Sequence, residues 1–212
     1  MNADSTGLYH MAKLFLAVDG IQDGIVFGGR VWIDEKYVPV WKSAKAMNAD
    51  GDAICGLSRN QLCICTATDG LKATLILCGT GQPTTKKALG IYSKVISPKV
   101  QLIRDGARCQ RLIALRCSSD EVHHVGETKG LPDKRNPMEP VNRVHRLLEF
   151  FLKRHSEYKR ENLLGCLNHF ANWYNTPGTA MEKAIKFIEM TVKKRKMLRY
   201  RAWGSKKKHD EG

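Results

Sequence analysis

The sequence predicts an α/β fold in which a mixed sheet is flanked by helices and followed by a helical C-terminal extension. Three observations support this prediction. Strand-like runs come early, and two of them are joined by the turn pair Asp69-Gly70. Helical and strand-like segments then alternate, as they do in sheets that carry helices on their faces. The last third of the chain has only helical periodicity.

The predicted strands are short runs rich in β-branched, aromatic and other apolar residues. The first is the strongest, and the second and third form a hairpin around Asp69-Gly70. The fourth ends where Asp105-Gly106 begins a turn. Polar segments at 42–60 and 126–140 are predicted to be loops. The five predicted strands are residues 30–41, 61–68, 71–79, 99–104 and 120–125.

The predicted helices have apolar residues at spacings of three and four. Pro140 suits the first position of a helix, and Thr179 with Glu182 forms a capping box that opens the last one. The apolar residues of this last helix are predicted to face the core: Met181, Ala184, Ile185, Ile188 and Val192. The other predicted helices are residues 8–18, 83–95, 107–115, 140–155 and 159–174. This order of elements is that of an RNase H-like fold, and several other α/β folds begin in the same way.

Composition points to a polyanionic partner. The 212 residues carry 35 Lys and Arg against 21 Asp and Glu, a formal net charge of +14, which favours nucleic acid over a merely solvated basic surface. The chain has no long apolar run and no signal peptide, so a cytoplasmic protein without a membrane-spanning helix is predicted. Seven cysteines without a Cys-x-x-Cys pair are interpreted as small buried side chains in a reducing compartment, and no zinc site is expected.

Three acidic residues are candidates for metal chemistry. Asp34 and Glu35 lie within the apolar first strand, and Asp105 follows the fourth. If those strands are neighbours in the sheet, Asp34 and Asp105 reach one point, where two carboxylates and phosphate oxygens would suit Mg²⁺. The alternatives are a solvated edge strand for Asp34 and Glu35, and a turn aspartate bonded to its own backbone for Asp105.

A third ligand is expected on the helix at 140–155. Its polar residues recur at helical spacing and share one face, although such a pattern is also typical of a plain solvated face. Glu139 lies just before this helix, near its positive end. The polar residues on the face are Asn142, His145, Arg146, Glu149 and Lys153.

Several runs of the sequence together resemble the ISXO-two-like branch of the DDE-type insertion-sequence transposases. They are VWIDEKYVPVWKS, CGLSRNQLCIC, LIRDG, TKGLPDKRNPMEPVNRVHRLL and TVKKRKMLRYR, and the resemblance covers nearly all of residues 25–203. It implies an RNase H-like catalytic domain with two Mg²⁺ (or Mn²⁺) ions. It also implies that Asp34 and Asp105 are the first two catalytic residues, that both bind metal, and that Asn142 takes the third position, with Glu139 the nearest carboxylate.

The sequence departs from the family in two ways. Where the family places a Lys, seven residues after the third catalytic position, this chain has Glu149, which could repel DNA or supply the missing carboxylate. The usual N-terminal zinc ribbon is not expected here. We therefore divide the chain into a short N-terminal helical remnant (1–29), an RNase H-like catalytic domain (30–155), a C-terminal helical extension (156–203) and a basic tail (204–212).

The function implied by the resemblance is DNA transposition by metal-dependent strand cleavage and transfer. The expected partners are double-stranded DNA, as transposon ends and target, and further copies of the chain on that DNA, in a prokaryotic nucleoid. Two alternatives stay open: an inactive, truncated remnant that only binds DNA, and a stand-alone RNase H-like nuclease. Residues expected to contact DNA phosphates are Lys153, Arg154, Lys193, Lys194, Arg195, Lys196, Arg199 and Arg201.

Overall fold

The computed structural model describes residues 20–39, 49–51, 60–154 and 163–193. The helix predicted at 8–18, most of the loop at 42–60 and the basic tail lie outside the described residues. No helix in the described part of the chain is both long and apolar enough to cross a membrane.

The described strands form one mixed sheet of five strands in the order β3-β2-β1-β4-β5. β1 pairs antiparallel with β2, and β2 with β3, whereas β4 runs parallel to β1 and β5 parallel to β4. The first and fourth strands are neighbours, which meets the condition stated above for Asp34 and Asp105. The bounds are β1 Arg30–Pro39, β2 Gln61–Thr68, β3 Ala73–Thr80, β4 Gln101–Arg104 and β5 Ser119–Val122.

The hairpin between β2 and β3 forms at the predicted turn. The Asp69 carboxylate accepts hydrogen bonds from the backbone N–H groups of Leu71 (2.9 Å) and Lys72 (2.7 Å), which closes the turn. Gly70 has a φ of +88°, a conformation that favours glycine. The local sequence therefore fixes this connection without help from distant residues.

Six helices lie among the described residues. The predicted helices shift by a few residues at their ends, and the predicted loop at 126–140 contains the short helix α3 and a turn of 3₁₀ helix at Asp133–Arg135. β5 ends early, at Val122, because His124 already caps α3. The helices are α1 Thr85–Tyr92, α2 Arg111–Ala114, α3 Val125–Thr128, α4 Glu139–Arg154, α5 Leu163–Asn175 and α6 Ala180–Lys193.

Helices cover both faces of the sheet. On one face, α4 and α5 pack their apolar residues, such as Leu148 and Phe170, against Ile64 and Leu75 of the sheet. On the other face, α1 and α2 pack residues such as Tyr92 against Ile33 and its neighbours. β1 lies between β2 and β4 in the middle of the sheet. Because its side chains alternate between the two faces, β1 contributes residues to both cores.

The outer edge of β3 is covered by two side-chain amides. Gln22 bonds the backbone N–H (2.7 Å) and carbonyl (3.0 Å) of Leu75, and Asn175 bonds both backbone groups of Ala73 at 2.7 Å. These bonds satisfy backbone groups that an exposed edge strand would leave open to another chain. They also fix the end of α5 to the sheet.

The predicted core face of the last helix is wrong for its described residues. Met181, Ile185 and Ile188 of α6 are 70%, 49% and 58% exposed, and Ala184 is exposed too. α6 is attached to α5 near its start, where the Lys183 ammonium bonds the Trp173 carbonyl and lies 5.0 Å from the Trp173 ring. Helical periodicity shows that one face is apolar, but it does not show that another element covers that face.

Two substitutions by alanine test whether the apolar residues of α4 are buried and those of α6 exposed. Leu148→Ala should lower the free energy of unfolding by about 2–5 kcal/mol, because Leu148 is fully buried between helix and sheet. Ile185→Ala should change it by about 0.5 kcal/mol or less, because the side chain is already half-exposed. Urea unfolding measures both. A similar loss for the two variants would contradict the described position of α6.

Candidate active site

The central strand β1 directs two consecutive carboxylates to opposite faces of the sheet, as alternation predicts. Glu35 lies on the α1 side and is buried. It accepts hydrogen bonds from Tyr92 Oη (2.7 Å), Gln110 Nε2 (3.0 Å) and the Cys109 thiol (3.3 Å). Burial raises the pKa of Glu35, and these hydrogen bonds offset part of that rise. Glu35 is therefore a fully engaged interior group.

Asp34 faces α4 and remains partly accessible, with 22% of its side chain exposed. One carboxylate oxygen accepts the Glu35 backbone N–H at 2.7 Å, and the other lies 3.6 Å from His145 Nδ1. Burial raises the pKa of Asp34 well above its usual range, and the negative charges of Asp105 and Glu35 raise it further. Its environment therefore disfavours the negative charge.

Asp105 follows β4 at the level of Asp34. The last registered pair of the two strands is Ile33 with Arg104, so Asp34 and Asp105 are the next residues on neighbouring parallel strands. Strand alternation predicts the same face for both. The Asp105 carboxylate accepts the Ala107 backbone N–H at 2.9 Å. The predicted turn interaction is thus present, and Asp105 also acts electrostatically on Asp34.

Gly106 fixes the backbone next to Asp105. Its φ is +87°, and a Cβ atom there would lie 2.7 Å from the His124 ring and 2.9 Å from a Val122 methyl group. A larger residue would be both strained and in collision. The turn after β4 therefore depends on glycine, which keeps Asp105 in place.

His145 of α4 is a functional candidate that sequence reasoning placed on the polar face but gave no role. The ring is buried, with Nε2 3.0 Å from Thr66 Oγ1 and Nδ1 directed towards Asp34. Burial, aided by the positive charge of Lys36, lowers the pKa of His145 to about 3. The ring is therefore neutral at physiological pH, and its contact with Asp34 is not an ion pair. The sequence signal that could have given His145 a role is its position three residues after Asn142, which places both side chains on one face of the helix.

The three candidates for a third ligand differ in their partners. Glu139 is held by Arg146 at 2.7 Å, and Arg146 also bonds Asp133. Asn142 is half-buried one turn before His145, and its amide makes no hydrogen bond with another described residue. The structure thus leaves Asn142, rather than Glu139, available as a ligand.

Glu149 is also engaged. It bonds Lys36 of β1 at 3.0 Å and Lys153 at 2.8 Å, and these hydrogen bonds lower the pKa of Glu149 to about 2. Lys36 lies two residues after Asp34 and faces α4 as well, so the bond joins strand to helix beside the site. Glu149 is thus a partner of two cations and not a free carboxylate.

Asp34 and Asp105 contrast with the other carboxylates around them. Glu139, Glu149 and Asp120 all have Arg or Lys partners, and Asp120 holds Arg104 with two bonds of 2.7 Å. Among the described residues, neither Asp34 nor Asp105 has such a partner. In the described part of the chain, one group of three His, Cys, Asp or Glu side chains has its ligand atoms within 4.8 Å of one another, and it consists of Cys63, Cys65 and Cys78. Asp34 and Asp105 do not belong to such a group.

The described residues contain only part of the predicted DNA-contacting set. Lys153 is 74% exposed and pairs with Glu149, and Arg154 is exposed at the end of α4. Lys193 ends α6, and its side chain is not described. The remaining predicted contacts lie outside the described residues: Lys194, Arg195, Lys196, Arg199 and Arg201.

Comparisons with protein-family models and with curated protein sequences give no relative for this chain. No protein-family model matches it, and no curated protein sequence does. The family resemblance of the quoted motifs therefore stays a prediction, and the geometry of the site carries the functional inference.

The unpaired carboxylates predict an unusual stability effect. Because the folded-state pKa of Asp34 is raised, ionising this residue costs stability once the pH rises through that pKa. Asp34→Asn removes the cost and should raise the free energy of unfolding at pH 8 in the presence of chelator. Below about pH 3.9, where the unfolded chain also protonates its aspartates, the gain should vanish. Urea unfolding at several pH values measures both.

Asp120→Asn is the matched control for this experiment. It weakens the two bonds to the largely buried Arg104, so it should lower the free energy of unfolding at pH 8. A stability gain in Asp34→Asn that is equal at all pH values, or no gain, would contradict the described environment of Asp34.

Proposed function

We propose that this chain is the catalytic core of a DDE-type DNA transposase, a metal-dependent enzyme that cuts and joins DNA strands. One observation carries the proposal. Asp34 and Asp105 directly follow the last registered pair of two neighbouring parallel strands, the charge of Asp105 raises the pKa of Asp34, and neither forms an ion pair with Arg or Lys among the described residues. Such a pair costs stability unless a cation is bound between its members.

The sheet supports an RNase H-like fold for this core. Its order β3-β2-β1-β4-β5 combines an antiparallel half with a parallel half, and helices cover both faces. This arrangement is compatible with an RNase H-like fold. It places the carboxyl end of β4 beside the middle of β1, so that Asp105 follows β4 close to Asp34.

The donor set suits a hard divalent cation. Asp34 and Asp105 would hold Mg²⁺ or Mn²⁺ through carboxylate oxygens, and Asn142 would add its amide oxygen. Two such ions, when bound, polarise a phosphodiester and lower the pKa of the attacking oxygen. The chain itself keeps Asp34 oriented through the Glu35 N–H and keeps Asp105 in its turn through the Ala107 N–H.

His145 acts in this proposal as a positioning residue for Asp34. The Thr66 hydroxyl can donate to Nε2, in which case the ring carries its proton on Nδ1, facing the Asp34 carboxylate. A neutral ring orients the carboxylate without competing for the charge of a metal ion. A cationic residue in its place would neutralise Asp34 and weaken metal binding.

The Lys36–Glu149 pair bears on the choice between an active enzyme and a DNA-binding remnant. The resemblance implies a cation at position 149, where the chain has Glu. In the structure Lys36 projects from β1 towards this position and is held there at 3.0 Å. Lys36 forms its ion pair with Glu149 and not with Asp34, and its positive charge still lowers the pKa of Asp34. This supports the active enzyme over the remnant.

Mn²⁺-dependent strand transfer tests the proposal. A pre-cut DNA end with a free 3′-hydroxyl is incubated with supercoiled plasmid, and joined products are measured for the wild type and for Asp34→Asn, Asp105→Asn and Asn142→Ala. Joining should be present in the wild type and lost in the three variants, because each loses a metal-ligand oxygen or its charge. Asp133→Asn, which changes an exposed acid outside the site, should join like the wild type.

The outcomes separate the three functional hypotheses. Joining that survives in both aspartate variants would overturn the assignment of the site. No joining by any protein, with DNA binding intact in chelator, would favour the inactive remnant. Metal-dependent cutting without joining, on DNA that lacks transposon ends, would favour a stand-alone nuclease.

DNA binding should depend on salt through phosphate contacts. Replacing Lys153 and Arg154 by Gln should make the slope of log K against log salt shallower by about 1–2, since each phosphate contact contributes about −0.9. Fluorescence anisotropy with a short duplex measures the slope. Lys99→Gln and Lys94→Gln, which change lysines outside the predicted set, should leave it unchanged. Equal effects of the two pairs of substitutions would show that the ends of α4 make no specific contribution.

A further inference from the structure

Three cysteine thiols converge on the face of the sheet that lies opposite Asp34. Cys63 and Cys65 come from β2 and Cys78 from β3, and all three are buried. Their sulfur atoms lie within 4.8 Å of one another. They face α1, whereas Asp34 faces α4. The cluster is therefore separate from the carboxylate site.

A β-bulge brings the third thiol to the other two. Cys63 and Cys65 share a face of β2 because they are two residues apart. On β3, Gly79 pairs with Cys63 while Leu77 pairs with Ile64, so Cys78 is the extra residue of the bulge and stands opposite Cys63. Gly79 has a φ of +123°, a value that L side chains rarely adopt. Bulges of this kind direct particular side chains and often lie beside functional sites.

The spacing of the sulfur atoms suits a thiolate-bound metal ion. Tetrahedral Zn²⁺ with Zn–S bonds of about 2.3 Å places its sulfur ligands about 3.8 Å apart. Three sulfur atoms that already lie within 4.8 Å need shifts of only about 1 Å or less to reach that geometry. Thiolates prefer Zn²⁺ and similar soft cations, whereas Mg²⁺ prefers oxygen ligands.

The surroundings of the cluster can accommodate its charge. Three thiolates and a divalent cation carry a net negative charge. The Lys87 ammonium lies 3.1 Å from the place where a Cβ on Gly79 would be, and its positive charge lowers the pKa of Cys78. A hydrogen bond with Cys63 and burial raise the pKa of Cys65, and burial raises the pKa of Cys78, so metal binding must displace the protons of these two thiols.

Cys109 is a candidate for a fourth ligand. Its thiol lies 3.3 Å from Glu35 Oε2, and Glu35 pairs across the sheet with Cys65. Cys109 packs in the same core as the three cysteines, but its sulfur atom is not one of those within 4.8 Å of one another. Its side chain would have to leave Glu35 to join a four-sulfur site.

We propose that Cys63, Cys65 and Cys78 bind a thiophilic divalent cation of the Zn²⁺ class, with Cys109 as the candidate fourth ligand. The bound ion would join β2 to β3 under α1 and stabilise the sheet on which the carboxylate site is built. The alternative is three small apolar side chains that merely fill the core.

Metal binding by untagged, reduced protein tests the proposal directly. Protein stripped with chelator is titrated with Co²⁺, which replaces Zn²⁺ in thiolate sites and reports sulfur ligands by intense charge-transfer absorption. The expected result is a saturable band at one Co²⁺ per chain that Zn²⁺ abolishes, and a higher melting temperature with Zn²⁺. No such band in the wild-type protein would overturn the proposal without reference to any variant.

Variants localise the site. Cys63→Ser and Cys78→Ser should weaken Zn²⁺ binding at least about tenfold and remove most of the thermal shift. Cys166→Ser is the matched control, because Cys166 is also buried but packs in the core on the α4 side of the sheet. Circular dichroism verifies that each variant is folded. Equal loss in Cys166→Ser, or full binding in Cys63→Ser and Cys78→Ser, would overturn the assignment.

A further variant separates this site from the proposed active site. Asp34→Asn should retain the Co²⁺ band and the Zn²⁺ shift in full, because Asp34 lies on the other face of the sheet. A Zn²⁺ thermal shift that is lost in Asp34→Asn, together with no sulfur charge-transfer band in the wild type, would show that the cation binds at the carboxylates, and it would overturn the thiolate site while leaving the proposed function intact.

Discussion

The pleat of β1 is the constraint on which the rest of the site depends. Because successive side chains alternate between faces, Asp34 and Glu35 lie in different environments although they are neighbours in sequence. Glu35 meets Tyr92, Cys109 and Gln110 in the interior, while Asp34 stays partly accessible under α4. β1 is the strand at which the antiparallel and parallel halves of the sheet meet. Its parallel neighbour β4 therefore ends at the level of Ile33, and Asp105, the next residue, lies close enough to Asp34 to raise its pKa.

The charges around this point are arranged unequally. Carboxylates on the rim are neutralised by arginine or lysine, as Glu139 is by Arg146. Asp34 and Asp105 are left to repel each other, and His145, the nearest ring, is kept neutral by burial. A fold selected for stability alone would pair or remove these acids. Retaining them is the kind of local cost that proteins accept at sites that bind cations.

The two faces of the sheet offer different ligand chemistry from the same strands. On β2, Thr66 supports His145 beside the carboxylates, and the next residue, Cys65, belongs to the thiol cluster on the opposite face. Carboxylate oxygens suit hard cations and thiolates suit soft ones. If both sites bind metal, the sheet separates a catalytic oxygen site from a structural sulfur site by its own thickness, so each can be altered without the other.

Local signals in the sequence determined the strands, the hairpin at Asp69-Gly70 and the polar face of α4, because each depends on residues a few positions apart. The tertiary structure decided the contacts that join residues far apart in the sequence. It paired Lys36 with Glu149 across 113 residues, buried His145 against Thr66, and placed Cys78 with Cys63 through a bulge. It also left the apolar residues of α6 exposed. Periodicity specifies which face of an element is apolar, but register and packing alone decide what that face meets.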